Sequence, residues 1–376
     1  MKITTPALIF DEKTLEYNTI TTHATLDIAK CNLFYSVKAC SVPNVLQTLN
    51  KLVHGFSCST FNEVKLAHQE SNNNSLQLVG PWIETQKLKK YGEYLNYIIF
   101  NSLPQWKQFS TQIPSHVQQG IRINTQLSFV RLEEYDPCRW GSKLGVPIYE
   151  LAKLQPQDLI NIKGLHFHTN SYVHDFACLL ATIKHLASVI PHLLRHVKWI
   201  NLGGGYDQRS ATHIEAFFEG VQLLREEFNL DVFVEPGYFM VSEAGRVKTT
   251  VCDIFTVDSN QVVILDTTIY HLGWLASYNP YIQVKESSSS GSYSYNLSGC
   301  SCSPGDVFGQ YRFDEPLKIG SQLTFLNMGG YGLSKVTRFS GIEAPSVYWK
   351  DKTGSLTLLY KDSFENYVTH LGGTKC

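Results

Sequence analysis

The sequence lacks any apolar run close to the ~18 uninterrupted residues of a membrane-crossing helix, so a membrane span is not expected. Excess charge of either sign is also missing. Lys plus Arg number 32 against 33 Asp plus Glu. No lysine- or arginine-rich block occurs, which excludes a nucleic-acid binder built on a broad basic face. The N-terminal Met1-Lys2-Ile3-Thr4-Thr5-Pro6 has no apolar export segment, and a cytoplasmic protein is expected. Cysteine occurs 9 times, an odd and scattered set that argues against a disulfide framework. The close pair Cys300-Ser301-Cys302 has no second Cys or His pair beside it, so no metal site is expected.

What is present is core material. Hydrophobic residues make up 43% and charged residues 17% of 376 residues, enough for one large α/β barrel with an extension or for two domains. Across the first two thirds, short apolar runs alternate with amphipathic segments. The runs are Leu33–Val37, His54–Cys58, Leu76–Val79, Tyr97–Phe100, Gly120–Asn124, Ile162–His168, Val197–Leu202 and Val232–Glu235. Helices are expected between them, among others at Phe61–Glu70, Glu84–Tyr91 and His213–Phe228. Strands alternating with helices pair in parallel through right-handed crossovers, and eight such units close a barrel.

After about residue 246 the helical pattern stops. Arg246–Thr256, Gln261–Thr267, Tyr281–Lys285, Gln322–Asn327 and Ser355–Leu359 read as strands, with turns at 257–260 and 287–292. The expected organisation is a (β/α)8 barrel over 20–245 and an all-β domain over 246–376, to which residues 1–19 add a strand.

Barrel enzymes carry their chemistry at the C-terminal ends of the strands, and several runs end in groups a plain loop does not require. Lys38 follows Leu33–Val37; it is either a solvated lysine or an amine whose pKa desolvation lowers toward Schiff-base chemistry. Alternation puts His166 and His168 on one face, as metal ligands, a stacking ring or satisfied core imidazoles. Gly203-Gly204-Gly205 follows the seventh run, where consecutive backbone N–H groups can cradle a phosphate. Glu235-Pro236-Gly237 ends the eighth run with a carboxylate. Cys302-Ser303-Pro304-Gly305-Asp306 and Gly329-Gly330-Tyr331-Gly332 are turns presenting a thiol, a carboxylate and a phenol. Together these are the parts that hold pyridoxal phosphate.

The order of these motifs, with Tyr35-Ser36-Val37-Lys38-Ala39, Gly55-Phe56-Ser57-Cys58-Ser59 and Gly164-Leu165-His166-Phe167-His168, resembles the fold type III pyridoxal-phosphate decarboxylases. This is the ornithine and diaminopimelate decarboxylase superfamily, with an alanine-racemase-like barrel. Arg122-Ile123-Asn124, Asp136-Pro137-Cys138, Ser142-Lys143-Leu144-Gly145 and Phe339-x-Gly341-Ile342-x-x-Pro345-Ser346 resemble its carboxynorspermidine decarboxylase branch.

The resemblance implies pyridoxal 5'-phosphate as cofactor, with Lys38 as the Schiff-base lysine, His168 stacked on the ring and Glu235 on the ring nitrogen. It also implies Ser171, Gly204, Gly205, Gly237 and Tyr331 around the cofactor and its phosphate, and Arg122 close by. Cys302 and Asp306 would reach the active site of a second subunit in a homodimer with shared sites, Cys302 serving catalysis and Asp306 the substrate. His271, Trp274 and Tyr278 fall in the segment where relatives bind substrate. That segment, His271-Leu272-Gly273-Trp274-Leu275-Ala276-Ser277-Tyr278, has no carboxylate, which points to a substrate less cationic than a triamine, such as a carboxylated conjugate of siderophore metabolism. An amino-acid racemase on the same scaffold and a non-catalytic pyridoxal-phosphate carrier are the competing readings. A racemase needs two opposed acid–base groups, whereas the Cys-x-x-Gly-Asp turn favours decarboxylation.

Overall fold

Strands that are apolar throughout must be covered on both faces, as parallel strands are when helices cross back over the sheet. The computed structural model describes residues 3–71, 74–130, 132–171, 173–205, 212–272 and 282–374. It divides into two units, Asn18–Phe239 and Met1–Tyr17 with Met240–Cys376. Strand β1 (Ala7–Asp11) belongs to the second unit.

In the first unit lie β2 (Cys31–Ser36), β3 (Gly55–Cys58), β4 (Ser75–Val79), β5 (Tyr97–Phe100), β6 (Gln118–Asn124), the short β7 (Val146–Pro147), β8 (Ile162–His166), β9 (Trp199–Asn201) and β10 (Asp231–Val234). They run parallel in the order β5-β4-β3-β2-β10-β9-β8-β6, and β5 also pairs with β6, closing the ring. With β7 attached only to β6, eight of the 9 strands form the barrel. All eight expected runs are strands of it.

Aromatic side chains fill the barrel floor. Phe34, Ile99, Trp199 and Phe233 form one buried cluster, with Val79 and Tyr97 packed on it. The Trp199 and Phe233 rings stack at 5.6 Å, and Tyr97 meets Trp199 edge-on at 5.4 Å. This plug needs a missing side chain opposite: a Cβ at Gly164 would overlap the Trp199 indole.

The helix Phe61–Glu70 has the expected bounds, because Thr60 caps it by accepting from Glu63 N. The helix Ile214–Phe228 ends at Asn229, which takes the left-handed conformation that stops a helix. No helix among the described residues is long and apolar enough to cross a membrane.

The second unit is mainly β. It contains β11 (Gly245–Val257), β12 (Asn260–Leu265), β13 (Tyr293–Ser298), β14 (Val307–Phe313), β15 (Gln322–Phe325), β16 (Ser346–Lys350) and β17 (Leu356–Tyr360). The sheet order is β14-β13-β12-β11-β1-β16-β17, with β15 on β11. β1 sits between β11 and β16, so the N-terminal residues do add a strand. The 257–260 turn joins β11 to β12, with Asp258 and Ser259 both at positive φ, as a tight hairpin requires.

Two expectations differ here. Tyr281–Lys285 is no strand in its described part: Val284 makes only an isolated bridge to Phe325. β13, β14 and β16 were not anticipated. The first two are half exposed: β13 alternates Tyr, Tyr and Leu with Ser, Asn and Ser, and β14 breaks its apolar residues with Gly, Gln and Arg, so neither shows the continuous apolar run of a buried strand.

Candidate active site

β2 ends at Ser36, whose N–H donates to Pro236 O, and the chain then turns through a single 3₁₀ turn, Val37–Ala39. Tyr35 braces that turn by donating its buried hydroxyl to Cys40 O at 3.0 Å. Lys38 therefore stands on a turn just past the strand rather than on it. Its side chain is exposed, yet protein atoms surround the amine closely enough for burial to lower its pKa. Glu235 and Glu63 oppose that shift, and Arg122 adds to it. The amine makes no hydrogen bond or ion pair among the described residues. An unpaired amine that sheds its proton easily is a nucleophile.

Glu235 ends β10 and is 8% exposed. Its Oε1 accepts from Asn201 Nδ2 at 2.8 Å and from Gln77 Nε2, and its Oε2 faces His166 Nε2 at 3.4 Å. Burial works against the charge, but His166, Lys38 and the Gln77 amide hold its pKa down at about 2. Burial also lowers the pKa of His166, so the ring is neutral with its proton on Nε2, donated to the carboxylate. Its Nδ1 is then a buried acceptor without a partner. The carboxamides are interlocked: Asn201 Nδ2 also donates to Gln77 Oε1 at 3.0 Å, and Gln77 Nε2 donates to Ser57 Oγ at 3.1 Å.

His168 follows β8. Its Nδ1 accepts the Gly204 N–H at 3.0 Å, which places the proton on Nε2, 3.1 Å from Ser171 Oγ. Burial, followed by the Lys38 and Arg122 charges, holds its pKa well below the ordinary value, so this ring too is neutral. Ser171 accepts from His168 and keeps its own O–H for an anion. Gly205 has φ +92, and a Cβ there would overlap the Asn170 carbonyl; only glycine lets this turn close against His168-Thr169-Asn170. Gly237 packs on Ser36 and Ala39, tying the end of β10 to the Lys38 turn. Arg122, on β6, is half-buried and has no hydrogen-bond partner among the described residues.

Lys38, Arg122, His168, Ser171, Gly204, Gly205, Glu235 and Gly237 thus all belong to one barrel end. Three further residues there escaped the sequence reading: Gln77, Asn201 and Glu63. The first two carried a faint signal as lone amides inside the apolar runs Ser75–Val79 and Trp199–Asn201. Glu63 caps its helix by accepting from Ser59 N at 2.6 Å, which gave it a structural appearance in sequence.

The remaining candidates lie in the second unit. Cys302 is exposed, with Sγ 3.3 Å from Ser340 Oγ. Tyr331 sits in its glycine turn at φ 58. Two further candidates are buried. Asp306 is 3% exposed, and its oxygens accept from Ile269 N at 2.7 Å and Ser301 N at 3.0 Å. It therefore pins the turn that carries Cys302. His271 is 2% exposed, shares Nδ1 with Thr267 Oγ1 at 3.2 Å, and burial lowers its pKa to about 4. It is a core imidazole of the β unit. Trp274 and Tyr278 lie outside the described residues.

The barrel residues fit pyridoxal phosphate. They offer an amine and a guanidinium with no hydrogen-bond partner among the described residues, a neutral imidazole fixed at both nitrogens, the tight Gly205 turn beside the Ser171 hydroxyl, and a buried acid kept ionised, while the Gly203 and Gly204 N–H groups are already given to Asn201 and His168. Residues 14–246 match the family model described as pyridoxal-dependent decarboxylase, pyridoxal binding domain. Two curated relatives span nearly the whole chain. The carboxynorspermidine/carboxyspermidine decarboxylase of Herminiimonas arsenicoxydans is 26% identical over 98% of this chain and 100% of its own length. The carboxyaminopropylagmatine decarboxylase of a Synechocystis species is 27% identical over 98% and 95%. The fold is shared with the carboxynorspermidine decarboxylase of Campylobacter jejuni solved with norspermidine, at TM-score 0.88 and 24% identity over 98% of this chain and 100% of that one. It is also shared with the Helicobacter pylori diaminopimelate decarboxylase solved with L-lysine, at TM-score 0.85 and 17% identity over 98% and 97%. An amine and an ionised acid set just past the ends of two adjacent barrel strands, in a chain matched from end to end by such enzymes, make this protein a member of the pyridoxal-dependent decarboxylases.

Proposed function

We propose that this pyridoxal-phosphate decarboxylase removes the α-carboxylate of a carboxylated polyamine-type amino acid, acting as a homodimer with shared active sites. The observation that carries the reading is the placement of Lys38, an amine with no hydrogen bond or ion pair among the described residues, near Glu235, a buried carboxylate held ionised. The names of the two curated relatives, both decarboxylases of carboxylated polyamine conjugates, support the substrate class.

Bound at Lys38, the cofactor supplies an electron-withdrawing ring that accepts the electron pair left when CO₂ departs. This chain does the rest. Lys38 would hold the cofactor through its amine, which no described residue engages. Glu235, anionic at any working pH, keeps a proton on the ring nitrogen, and Gln77, Asn201 and His166 stop the carboxylate from rotating or taking that proton for itself. Neutral His168 packs on the ring face without adding a charge. Ser171 and the turn at Gly205 would hold the phosphate, while the Gly204 N–H fixes His168 beside it. Cys302, contributed by the second subunit, delivers a proton to the α-carbon, which selects decarboxylation over transamination.

With Asp306 bonded to two backbone N–H groups and no acid in 271–278, neither of these two segments supplies an accessible carboxylate to attract a polycation. A conjugate with fewer amines, as in siderophore assembly, therefore stays within the proposed range. Mass spectrometry of products from carboxylated polyamines, basic amino acids and citrate-conjugated diamino acids tests the reading. Loss of CO₂ from a conjugate is expected; racemisation, or cofactor binding without any turnover across the panel, overturns it.

A further inference from the structure

Cys302 is not presented to solvent alone. Ser340 Oγ lies 3.3 Å from its sulfur, and the backbone around Ser340 is unusual. Its φ and ψ are 57 and 18, in the left-handed region that glycine and asparagine enter readily and serine does not. Ser340 is the third residue of a turn in which Gly341 N donates to Arg338 O at 3.0 Å. A turn by itself would be better served there by glycine.

The loop is held firmly in place. Arg338 makes two bonds to Asp362, Nε to Oδ2 at 2.6 Å and Nη2 to Oδ1 at 2.9 Å. Ala344 N and the Tyr360 hydroxyl also donate to Asp362, at 2.9 and 2.7 Å. On the other side, the Phe339 ring lies 5.1 Å from that of Tyr270, and the Tyr270 hydroxyl is 2.9 Å from Ser303 Oγ, next to Cys302. One clamped loop thus braces both Cys302 and its neighbour. A non-glycine residue kept in the left-handed region persists where its surroundings impose it, and such sites gather where function uses the side chain.

We propose that Ser340 is a positioning residue for the Cys302 thiol. It fixes the rotamer of Cys302 and donates its hydroxyl proton toward the sulfur when the thiolate forms. This rests on the reading of Cys302 as the proton donor. In that step the S–H bond breaks and a C–H bond forms at the carbon that lost CO₂. Sulfur keeps the electron pair, stabilised by the Ser340 hydroxyl, and water restores the thiol.

The test uses the full-length holoenzyme and the variants Ser340→Gly, Ser340→Asn and Cys302→Ala. In Ser340→Gly the melting temperature stays level or rises, because the turn is relieved. Alkylation of Cys302 by iodoacetamide, followed by peptide mass mapping at fixed neutral pH, slows about 2- to 10-fold, the range one hydrogen bond supplies. The share of turnovers ending in transamination rises. Exposed Cys252 is the internal reference and keeps its rate. Ser340→Asn, which retains a polar side chain and tolerates the left-handed backbone, stays nearer the parent. A Ser340→Gly protein whose Cys302 alkylates at the parental rate overturns the proposal, leaving a turn residue only. Unchanged product partition in Cys302→Ala removes instead the proton-donor role, and slowed alkylation in Ser340→Gly would still report the hold on the thiol.

Discussion

Asn201 Nδ2 lies 2.8 Å from Glu235 Oε1 and 3.0 Å from Gln77 Oε1, so one amide group joins the acid of β10 to the carboxamide of β4 across the barrel. Neutral donors do this without adding charge. The carboxylate remains a full anion, and its orientation is set before any ligand arrives, which is how preorganised electrostatic groups contribute most.

Replacing Asn201 by Leu leaves Glu235 with fewer donors and frees Gln77 to turn. The expected cost is about 1–3 kcal/mol of stability, the penalty for a buried polar group losing a partner. Denaturant unfolding measures it. Cofactor affinity, by titration of the apoprotein, should fall as well; unchanged affinity would show that the cage serves folding alone.

The sign of the pH effect follows from Glu235. Its folded pKa of about 2 lies below the ordinary 4.5 of an exposed glutamate, so its ionisation stabilises the fold above the unfolded value. That contribution is lost as pH falls from about 4.5 through about 2. In Glu235→Gln the acid limb of the stability curve should flatten over this window. An identical limb would assign acid unfolding to other carboxylates.

Lys38→Ala should abolish the visible-edge absorbance of the bound cofactor together with all turnover. The Lys38 amine has no hydrogen bond or ion pair among the described residues, so the fold loses little and the melting temperature of the apoprotein should stay close to that of the parent. A variant that retained both absorbance and turnover would move the nucleophile elsewhere.

Asp306→Ala removes the acceptor for Ile269 N and Ser301 N. Two backbone donors lose their partner, and a loss of about 1–3 kcal/mol is expected, read as a lower melting temperature with little change in KM. A large rise in KM with unaltered stability would return Asp306 to the substrate.

Gly164→Ala should be among the most damaging small substitutions in the barrel, since the added methyl overlaps the Trp199 indole. Overpacking of this kind costs about 1–3 kcal/mol. Pairing it with Trp199→Phe, which makes room, should recover part of the loss in a double-mutant cycle.

The barrel was legible because alternating strand and helix leaves almost no other arrangement for parallel strands, and Lys38, His168 and Glu235 were legible because each ends an apolar run with a group that loops do not need. Gln77 and Asn201 were not. A lone amide inside a buried strand reads as an ordinary satisfied residue until its partner is known, and Gln77 is 158 positions from Glu235. The partners of Asp306 were hidden in the same way: its acid looks unengaged in sequence, while the backbone N–H groups that it accepts from lie in a segment 37 residues away as well as in its own turn.

Local pattern thus determined which segments become strands, the closed ring they form, and the residue at each strand end, because burial on both faces and crossover handedness act through near neighbours in sequence. Tertiary structure alone decided which of those residues stay charged, which imidazole nitrogen carries the proton and which carboxylate is already taken, because each depends on groups that only folding brings within hydrogen-bonding distance.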